Sequence, residues 1–325
     1  MNLHLRVAAP EPASPPLVGT YHPLRSWMVT VGLFDNLSFE IESTTPERLG
    51  VDREQAGSSA LRNGPSSTPT GEAGSVASAG ISLACDDPAL PCDGSNLIVR
   101  AALALPGAMS RLAADGRRVG ARLTKRIPTG GGLGGGSSNA AATLVAIDRL
   151  LDLRTSNDDL LRIAGLLGAD VPFFLGSPSS IATGRGEHLE PAPTPTPKCI
   201  ALMFPSFGVS TAQCFRTLDT MRPIAPTDTL DPFDVVAWSK LPARELLPLL
   251  VNDLEPPAFT IAPQLGDLRA TCEARLGSIV RMSGSGSTLF TLFDEPAEAE
   301  HAIRRLDGIV RATTATLAVG AHDED

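Results

Sequence analysis

The residues best suited to chemistry lie in one Gly-rich stretch, Pro128 to Asn139, which reads PTGGGLGGGSSN. A run in which apolar and polar or small residues alternate, Val119 to Leu123, precedes it. An alanine-rich run follows, with Leu144, Ile147 and Leu151 at helical spacing. The pattern predicts a strand, a Gly-rich loop and the N-terminus of a helix, in that order.

That order of elements binds anions for a physical reason. The first backbone N–H groups of a helix lack partners within the helix and lie at the positive end of its dipole. Glycines let the backbone approach a phosphate closely and adopt a positive φ at little cost. Ser137, Ser138 and Asn139 are good N-cap residues and offer polar contacts to a phosphate or its metal ion. The loop is therefore predicted to bind phosphate groups.

The loop has three other interpretations. A P-loop requires Gly-Lys-Ser/Thr at its end, and there is no Lys between Arg126 and Lys198. A dinucleotide fingerprint can be threaded through Gly130, Gly132 and Gly135, but any Gly run supplies that match and the loop does not open the first βαβ unit. A flexible linker is the third interpretation, although linkers seldom join a strand to an alanine-rich helix.

Asp170 is the second candidate for chemistry. A helix is predicted from Thr155 or Ser156 to Leu167, with Gly168 as its stop. Asp170 then lies among apolar neighbours, where a carboxylate is costly unless it has a partner. Two roles compete: a capping or turn aspartate, or a catalytic group that accepts a proton from a substrate hydroxyl or holds that hydroxyl in line with a γ-phosphate.

Composition narrows the class of protein. The chain has 325 residues, 42% of them hydrophobic, which is enough to bury a substantial core. Its net charge of −9, without a dense Lys/Arg run, argues against nucleic acid or an anionic membrane as the main partner. No membrane span or secretory signal is visible. Five scattered cysteines predict neither a disulfide framework nor a structural metal site, so a reduced, cytoplasmic protein is expected.

These elements imply a mixed α+β fold with two domains and an active site in the cleft between them. Residues 1–192 are predicted as the N-terminal domain and residues 198–320 as the C-terminal domain, divided by the Pro-rich run Pro193 to Cys199. Residues 43–93 are rich in small and polar residues, and are predicted to be a largely disordered insertion. The run Ile81 to Cys85 would resume the sheet.

Apolar spacing predicts further elements in the N-terminal half. Strands are expected at Leu3 to Val7, Trp27 to Val31 and Leu37 to Ile41, where apolar residues alternate. A helix is expected to begin after Ser95 or Asn96 and to be kinked or interrupted at Pro106-Gly107.

The loop wording GGGLGGGSSNAA resembles the second signature of the GHMP kinases, the superfamily of galactokinase and the homoserine, mevalonate and phosphomevalonate kinases. Other stretches agree with that family and occur in its order: TYHPLRS at Thr20 to Ser26, DGSNLIVRAA at Asp93 to Ala102, LGADVPFFL at Leu167 to Leu175 and SGSGST at Ser283 to Thr288. The resemblance covers most of the chain outside the insert. It implies a GHMP-kinase-like fold that binds ATP and Mg²⁺.

Within the superfamily, the wording most resembles the branch that acts on a cytidine diphosphate-linked methylerythritol in the non-mevalonate route to isoprenoids. The implied reaction is transfer of the γ-phosphoryl group of ATP to the 2-hydroxyl of that acceptor, with Asp170 as the catalytic residue. Another GHMP small-molecule kinase, a non-catalytic nucleotide-binding homologue and a dinucleotide-binding oxidoreductase are the alternatives. A monomer or a weak homodimer is expected.

The resemblance also assigns a nucleotide site. Its residues are Pro128, Thr129, Gly130, Gly131, Gly132, Leu133, Gly134, Gly135, Gly136, Ser137 and Ser138, together with Asn96 and Lys125. Asn96 would lie by the adenine base, and Lys125 has a similar assignment. Taken alone, Asn96 is as readily a helix cap, and Lys125 a solvated charge.

A substrate-side site follows from the same resemblance. Its residues are Asn2, Tyr21, His22, Phe215, Ser283, Gly284, Ser285 and Gly286. Tyr21 would stack on the cytosine ring, a contact worth about 1–3 kcal/mol, while His22 would read its polar edge and Phe215 would close over it. The alternatives are a loop anchor for Tyr21 and His22, a core position for Phe215, and an ordinary turn for SGSGST.

One departure from the family concerns the first strand. The family pattern there, A-K-I-N-L, is matched at its end by Asn2 and Leu3, but the given sequence begins at Met1 and the Lys is absent. In the resembled kinases that Lys lies beside the catalytic Asp, the position of Asp170 here. A start codon placed too late, a kinase that works without this cation, and a protein without catalysis are the three interpretations.

Overall fold

The structure is a computed structural model that describes residues 1–12, 20–43, 76–78, 80–221, 230 and 232–318. The strands are β1 Asn2–Val7, β2 Glu11–Pro12, β3 Thr20–Tyr21, β4 Leu24–Val29, β5 Asn36–Ser43, β6 Val76–Ser78, β7 Ile81–Cys85, β8 Arg117–Thr124, β9 Ser179–Gly184, β10 His188–Pro191, β11 Cys199–Phe204, β12 Arg281–Met282, β13 Leu289–Phe293 and β14 Arg311–Thr316. The α-helices are α1 Leu97–Ala104, α2 Ala108–Ala114, α3 Gly135–Leu150, α4 Asn157–Leu167, α5 Thr211–Met221, α6 Val235–Trp238, α7 Ala243–Leu246, α8 Glu255–Ile261, α9 Pro263–Leu276 and α10 Pro296–Arg304. Two 3₁₀ turns span Pro172–Leu175 and Leu247–Leu249.

The described strands form three four-stranded sheets, in the orders β1-β4-β9-β10, β5-β8-β7-β6 and β12-β13-β11-β14, and a two-stranded ribbon of β2 and β3. Most neighbours are antiparallel, whereas β7 and β8 run parallel because α1 and α2 cross over between them. The mixed α+β fold predicted from the sequence is confirmed.

The second of these sheets carries the Gly-rich loop. Val119 and Leu123 on β8 are buried, as are Leu144 and Ile147 on α3, so the predicted strand and helix pack into one apolar core. The helix predicted after Asn96 is present. It is interrupted as expected at Pro106-Gly107, where Gly107 has a φ of 79° and α2 begins.

The first sheet is covered on both faces. Trp27, Met28 and Val29 are consecutive on β4, and all three are buried. The alternation of residue types that predicted this strand therefore does not mean that one of its faces is exposed to solvent. Met28 packs with Phe173 on one side, while Trp27 lies in a core that includes Ile200 of the C-terminal half. The N-terminal and C-terminal halves therefore share apolar core, and the division at residues 192 and 198 stays a prediction.

The predicted insertion at 43–93 is described only in part. Residues 44–75 and 79 lie outside the described residues. The strand predicted at Ile81–Cys85 is present as β7. Residues 86–93 form turns, in which the Leu90 N–H donates to the Asp87 carbonyl at 3.1 Å, and the expectation of a largely disordered insertion stays a prediction.

In the described part of the chain, no single helix has the length and apolar character of a membrane span. Among the described helices, the pair α1 and α2, with an 80° bend between them, passes that criterion on length and composition.

Candidate active site

The Gly-rich loop ends at Gly134, which is the N-cap of α3 with a φ of 73°. Ser137, Ser138 and Asn139, predicted as N-cap residues, instead lie inside the first turns of the helix. Gly134 takes the cap position, and it does so in the left-handed conformation. The Ser138 hydroxyl donates to the Gly135 carbonyl at 2.9 Å. Among the described residues no side chain caps α3, so its first amides are available to an anion.

Different glycines of the loop serve different purposes. Gly130 and Gly132 have φ values of 71° and 75°, as expected for the left-handed region. A Cβ on Gly130 would meet no described atom within 4 Å, whereas a Cβ on Gly131 would lie 2.7 Å from the Thr288 Oγ1. A Cβ on Gly132 would collide with the Ser283 carbonyl oxygen. Gly131 and Gly132 therefore allow the Gly-rich loop to approach the second small-residue loop of the chain, Ser283 to Thr288, closely.

Hydrogen bonds join the two loops. The Ser283 hydroxyl donates to the Gly132 carbonyl at 2.9 Å, and the Thr288 N–H donates to the Gly131 carbonyl at 3.2 Å. The Asn2 N–H donates to the Ser283 Oγ at 3.2 Å. The predicted nucleotide loop and part of the predicted substrate side thus lie in direct contact.

The rest of the second loop reaches the C-terminal helix α5. Gly284 and Gly286 have φ values of 55° and 86°. The Ser285 and Thr211 hydroxyls are 2.7 Å apart, which fixes the start of α5 to this loop. Pro128 and Thr129, at the start of the first loop, line a cavity of about 370 Å³ between the loop and the C-terminal half. Leu133, by contrast, is buried in the core.

Asp170 lies just before the 3₁₀ turn Pro172–Leu175, and the residue as a whole is exposed, although its neighbours in sequence are apolar. A Cβ on Gly134 would be 2.9 Å from the Phe174 Cζ, so the segment that carries Asp170 packs against the Gly-rich loop. The surrounding protein raises the pKa of Asp170 by desolvation, and the positive charge of the Met1 amino group offsets part of that rise. The raised pKa gives this carboxylate a higher affinity for a proton.

Lys125 is held by a residue that the sequence did not single out, Asp35. The Lys125 Nζ is 2.7 Å from the Asp35 Oδ2, with side-chain exposures of 9% and 0%, so Lys125 is not a solvated charge. Asp35 also accepts from the Arg126 N–H at 2.7 Å, the Ile127 N–H at 2.8 Å and the Asn139 Nδ2 at 2.9 Å. Burial alone would raise the pKa of Asp35, but these hydrogen bonds outweigh it and lower the pKa below its usual value. Asp35 thus joins the turn before the Gly-rich loop to α3.

Asn96 is the N-cap of α1. Its Oδ1 accepts from the Ile98 N–H at 2.9 Å and its Nδ2 donates to the Pro91 carbonyl at 2.7 Å, which supports the structural interpretation of this residue. A Cβ on Gly136 would be 3.5 Å from the Leu97 Cδ1, so the N-termini of α1 and α3 are neighbours. A contact between Asn96 and a nucleotide base stays a prediction.

The structure brings His22 and Phe215 together. Their ring centroids are 5.0 Å apart, with an angle of 39° between the planes, and Phe215 is only partly buried. Tyr21, on the short strand β3, pairs with Glu11. The His22 Nε2 lies 2.7 Å from the Oδ1 of Asp219, a residue that sequence reasoning missed. The available signal was its position on α5, four residues after Phe215.

The chemistry of this arrangement is anion binding beside a proton acceptor. The uncapped amides at the start of α3 directly follow the Gly-rich loop, which two hydrogen bonds join to the second loop. Asp170 lies on the segment that packs against the Gly-rich loop. Within the described residues, no group of three or more His, Cys, Asp or Glu could hold a metal ion.

Family models match both halves of the chain. The model described as the GHMP kinases N terminal domain matches residues 96–177, which include the Gly-rich loop and Asp170. The model described as GHMP kinases C terminal matches residues 240–310, which include the second loop.

Curated relatives agree with these matches. The 4-diphosphocytidyl-2-C-methyl-D-erythritol kinase of Thermobifida fusca (strain YX) is 40% identical over 236 residues, 72% of this chain and 74% of that protein. The protein of the same name from Paenarthrobacter aurescens (strain TC1) is 33% identical over 284 residues, 86% of this chain and 80% of the relative.

Solved structures agree as well. A crystal structure of 4-(cytidine 5'-diphospho)-2C-methyl-D-erythritol kinase superimposes with a TM-score of 0.67 at 31% identity, covering 98% of this chain and 97% of that chain. The L. major mevalonate kinase in complex with R-mevalonate has a TM-score of 0.57 at 11% identity, with 90% and 89% covered, which shows a shared fold.

Proposed function

The chain belongs to the GHMP kinases, and from that premise we propose that it transfers the γ-phosphoryl group of ATP to the 2-hydroxyl of 4-diphosphocytidyl-2-C-methyl-D-erythritol. This reaction would give the protein its place in isoprenoid biosynthesis. The observation that carries the proposal is the junction of three segments: the Gly-rich loop contacts both the Asp170 segment, through Phe174, and the second loop, through Ser283.

The loop and α3 are the nucleotide side of this proposal. The uncapped amides at the start of α3 would bind the phosphates of ATP, and the open position at Gly130 leaves room beside them. Their dipoles supply local positive potential although the chain as a whole carries a net charge of −9.

Mg²⁺ would enter with the nucleotide and offset the charge on its phosphates. Ser137 and Ser138 are the residues suited to hold it. The Ser138 hydroxyl donates its hydrogen to the Gly135 carbonyl, so the oxygen keeps lone pairs for a cation.

Asp170 is the proposed proton acceptor. As the 2-hydroxyl oxygen forms its bond to the γ-phosphorus, the bond from that phosphorus to the β–γ bridging oxygen breaks and ADP leaves. The proton of the hydroxyl passes to Asp170, whose raised pKa suits a base. The protein otherwise contributes positioning and charge stabilisation.

The cytidyl end of the acceptor would lie against His22 and Phe215, with Tyr21 on the adjoining strand. The His22 and Phe215 rings already lie side by side, so a planar base has an aromatic surface to contact. The helix that carries Phe215, α5, is joined to the second loop by the hydrogen bond between the Thr211 and Ser285 hydroxyls.

The test is ADP release from ATP with the cytidyl acceptor, comparing the unchanged protein with Asp170→Asn and with Asp267→Asn, an exposed carboxylate on α9 as the matched control. Asp170→Asn is expected to lower kcat by about 10²- to 10⁴-fold. Because Asp170 is exposed, the variant should be about as stable to urea as the parent. Near-normal kcat in Asp170→Asn would remove this residue from the mechanism, and ATP binding without ADP release for any acceptor would assign a nucleotide-binding protein without catalysis.

A further inference from the structure

The side chain of His22 is fixed by a carboxylate from the C-terminal half. The His22 Nε2 lies 2.7 Å from the Asp219 Oδ1, and 14% of the His22 side chain is exposed. An ionised carboxylate can only accept a hydrogen bond. In the neutral imidazole the hydrogen must therefore be on Nε2, which leaves Nδ1 as an acceptor.

The carboxylate is held in place by the helix that carries it. Phe215 and Asp219 are one turn apart on α5, so they lie on the same face of that helix, and both contact His22. The helix is anchored at its start by the contact of Thr211 with Ser285, and Leu218 is buried beside Asp219. The orientation of the His22 ring is therefore set by a packed element.

We propose that Asp219 is a positioning residue that makes the base site specific for cytosine over uracil. With its Nε2–H given to Asp219, His22 presents the Nδ1 lone pair, which selects a base edge that donates. The 4-amino group of cytosine is such a donor, whereas uracil, like thymine, carries a 4-oxo acceptor at the same position. This inference rests on the proposed function, since it takes His22 to face the base.

The size of the effect follows from the cost of an unmatched pair. A site built to bond a donor rejects an analogue that brings an acceptor, because two lone pairs then face each other and neither is satisfied. At the upper end of what one neutral hydrogen bond contributes, this contact supplies a preference for CDP over UDP of about tenfold.

A purely structural role for the His22–Asp219 contact makes a different prediction. If Asp219 only fastened the segment around His22 to α5, its loss would weaken CDP and UDP by the same factor. The ratio of the two affinities, and the position of the ring hydrogen on His22, separate the two roles.

The experiment measures CDP and UDP binding by calorimetry at pH 8, where an ordinary His is neutral, with the ATP site saturated by a non-hydrolysable ATP analogue. The proteins are the unchanged chain, Asp219→Asn, Asp219→Ala and the control Asp267→Asn. In Asp219→Asn the amide can donate or accept, so both tautomers of His22 become available and the ratio should fall towards one. The control should keep the tenfold preference.

Nitrogen NMR of His22, assigned with a His22→Asn variant, reports the tautomer directly. The unchanged protein should show hydrogen on Nε2, and Asp219→Asn should show a mixture. Because the Asp219 side chain is 41% exposed, both variants are expected to fold, which thermal unfolding checks.

An unchanged CDP/UDP ratio in Asp219→Asn and Asp219→Ala, or equal binding of the two diphosphates by the unchanged protein, overturns the inference and leaves the kinase reaction standing. An Asp219-dependent preference for CDP without ADP release from the cytidyl acceptor supports the inference and removes the proposed reaction. If the unchanged protein binds neither diphosphate, both proposals fall.

Discussion

Removal of the Asp35 carboxylate should be among the most damaging single changes near the nucleotide loop. The side chain is fully buried and accepts four hydrogen bonds, from Lys125, Arg126, Ile127 and Asn139. In Asp35→Ala the Lys125 ammonium, itself 9% exposed, loses its counter-ion, and the other donors lose their acceptor. Breaking a buried ion pair from one side costs about 3–5 kcal/mol, and we expect a loss of unfolding free energy in that range.

Asp35→Asn is a milder change. An Asn oxygen can still accept from the Arg126 and Ile127 amides, but the charge opposite Lys125 is gone. Hydrogen bonds to charged groups contribute about 1.5–3 kcal/mol, which is the expected loss. In a Lys125→Met background the same substitution should cost less, with a coupling energy of about 1–3 kcal/mol.

The assay is urea unfolding at pH 7 for the two single variants, the double variant and Asp35→Ala. Asp152→Asn is the matched control, because Asp152 pairs with Arg154 at the surface, where both side chains are more than half exposed, and such a pair contributes little. A loss below about 1 kcal/mol in Asp35→Ala, or a coupling energy near zero, would refute the reasoning. ATP affinity should fall together with stability, since Asp35 links the turn before the loop to Asn139 on α3.

Three further outcomes are expected. Burial lowers the pKa of His4 to about 4, against an ordinary value of 6.5, so the unfolded chain binds this proton more readily. Stability should then fall as pH drops from about 6.5 towards 4, by up to about 3 kcal/mol, and His4→Gln should flatten this part of a urea-midpoint profile. Gly130→Ala has open space but a positive φ and should cost about 1 kcal/mol, whereas Gly132→Ala also collides with the Ser283 carbonyl and should lower the melting temperature clearly further. In the pH profile of kcat, the acidic limb should report a carboxyl pKa above the ordinary value for Asp, because protonated Asp170 can no longer accept the hydroxyl proton; a limb at or below that ordinary value would contradict the assignment.

The order strand, Gly-rich loop, helix was predictable because few other structures suit that composition. The cap was predicted wrongly, since Ser137 and Asn139 have better cap propensities than glycine. The structure places Gly134 at that position, and Asn139 is used to bind Asp35. Propensity describes a local preference, whereas the bond between Asn139 and Asp35 spans 104 positions of sequence.

The roles of Asp35 and Asp219 could not be predicted from the sequence, for one physical reason. An Asp between two strands is explained by turn chemistry, and an Asp on an exposed helix face needs no explanation at all. Their partners are supplied by the fold: Lys125 lies 90 positions from Asp35, and His22 lies 197 positions from Asp219. By contrast, the apolar periodicity of β8 and α3 identified core residues correctly, because burial of a whole face leaves a signal in neighbouring positions.

The core shared by the two halves has a consequence for synthesis on the ribosome. The second edge of β1 is completed by a late segment: the Leu5 N–H donates to the Val251 carbonyl at 2.8 Å, and the Asp253 N–H donates to the Leu5 carbonyl at 3.0 Å. Strand β1 must therefore wait for residue 253 to be synthesised before its backbone is fully paired. A nascent chain released before that point would carry an exposed strand edge, which is a template for aggregation, so truncated products of this gene should be recovered in inclusion bodies or bound to chaperones.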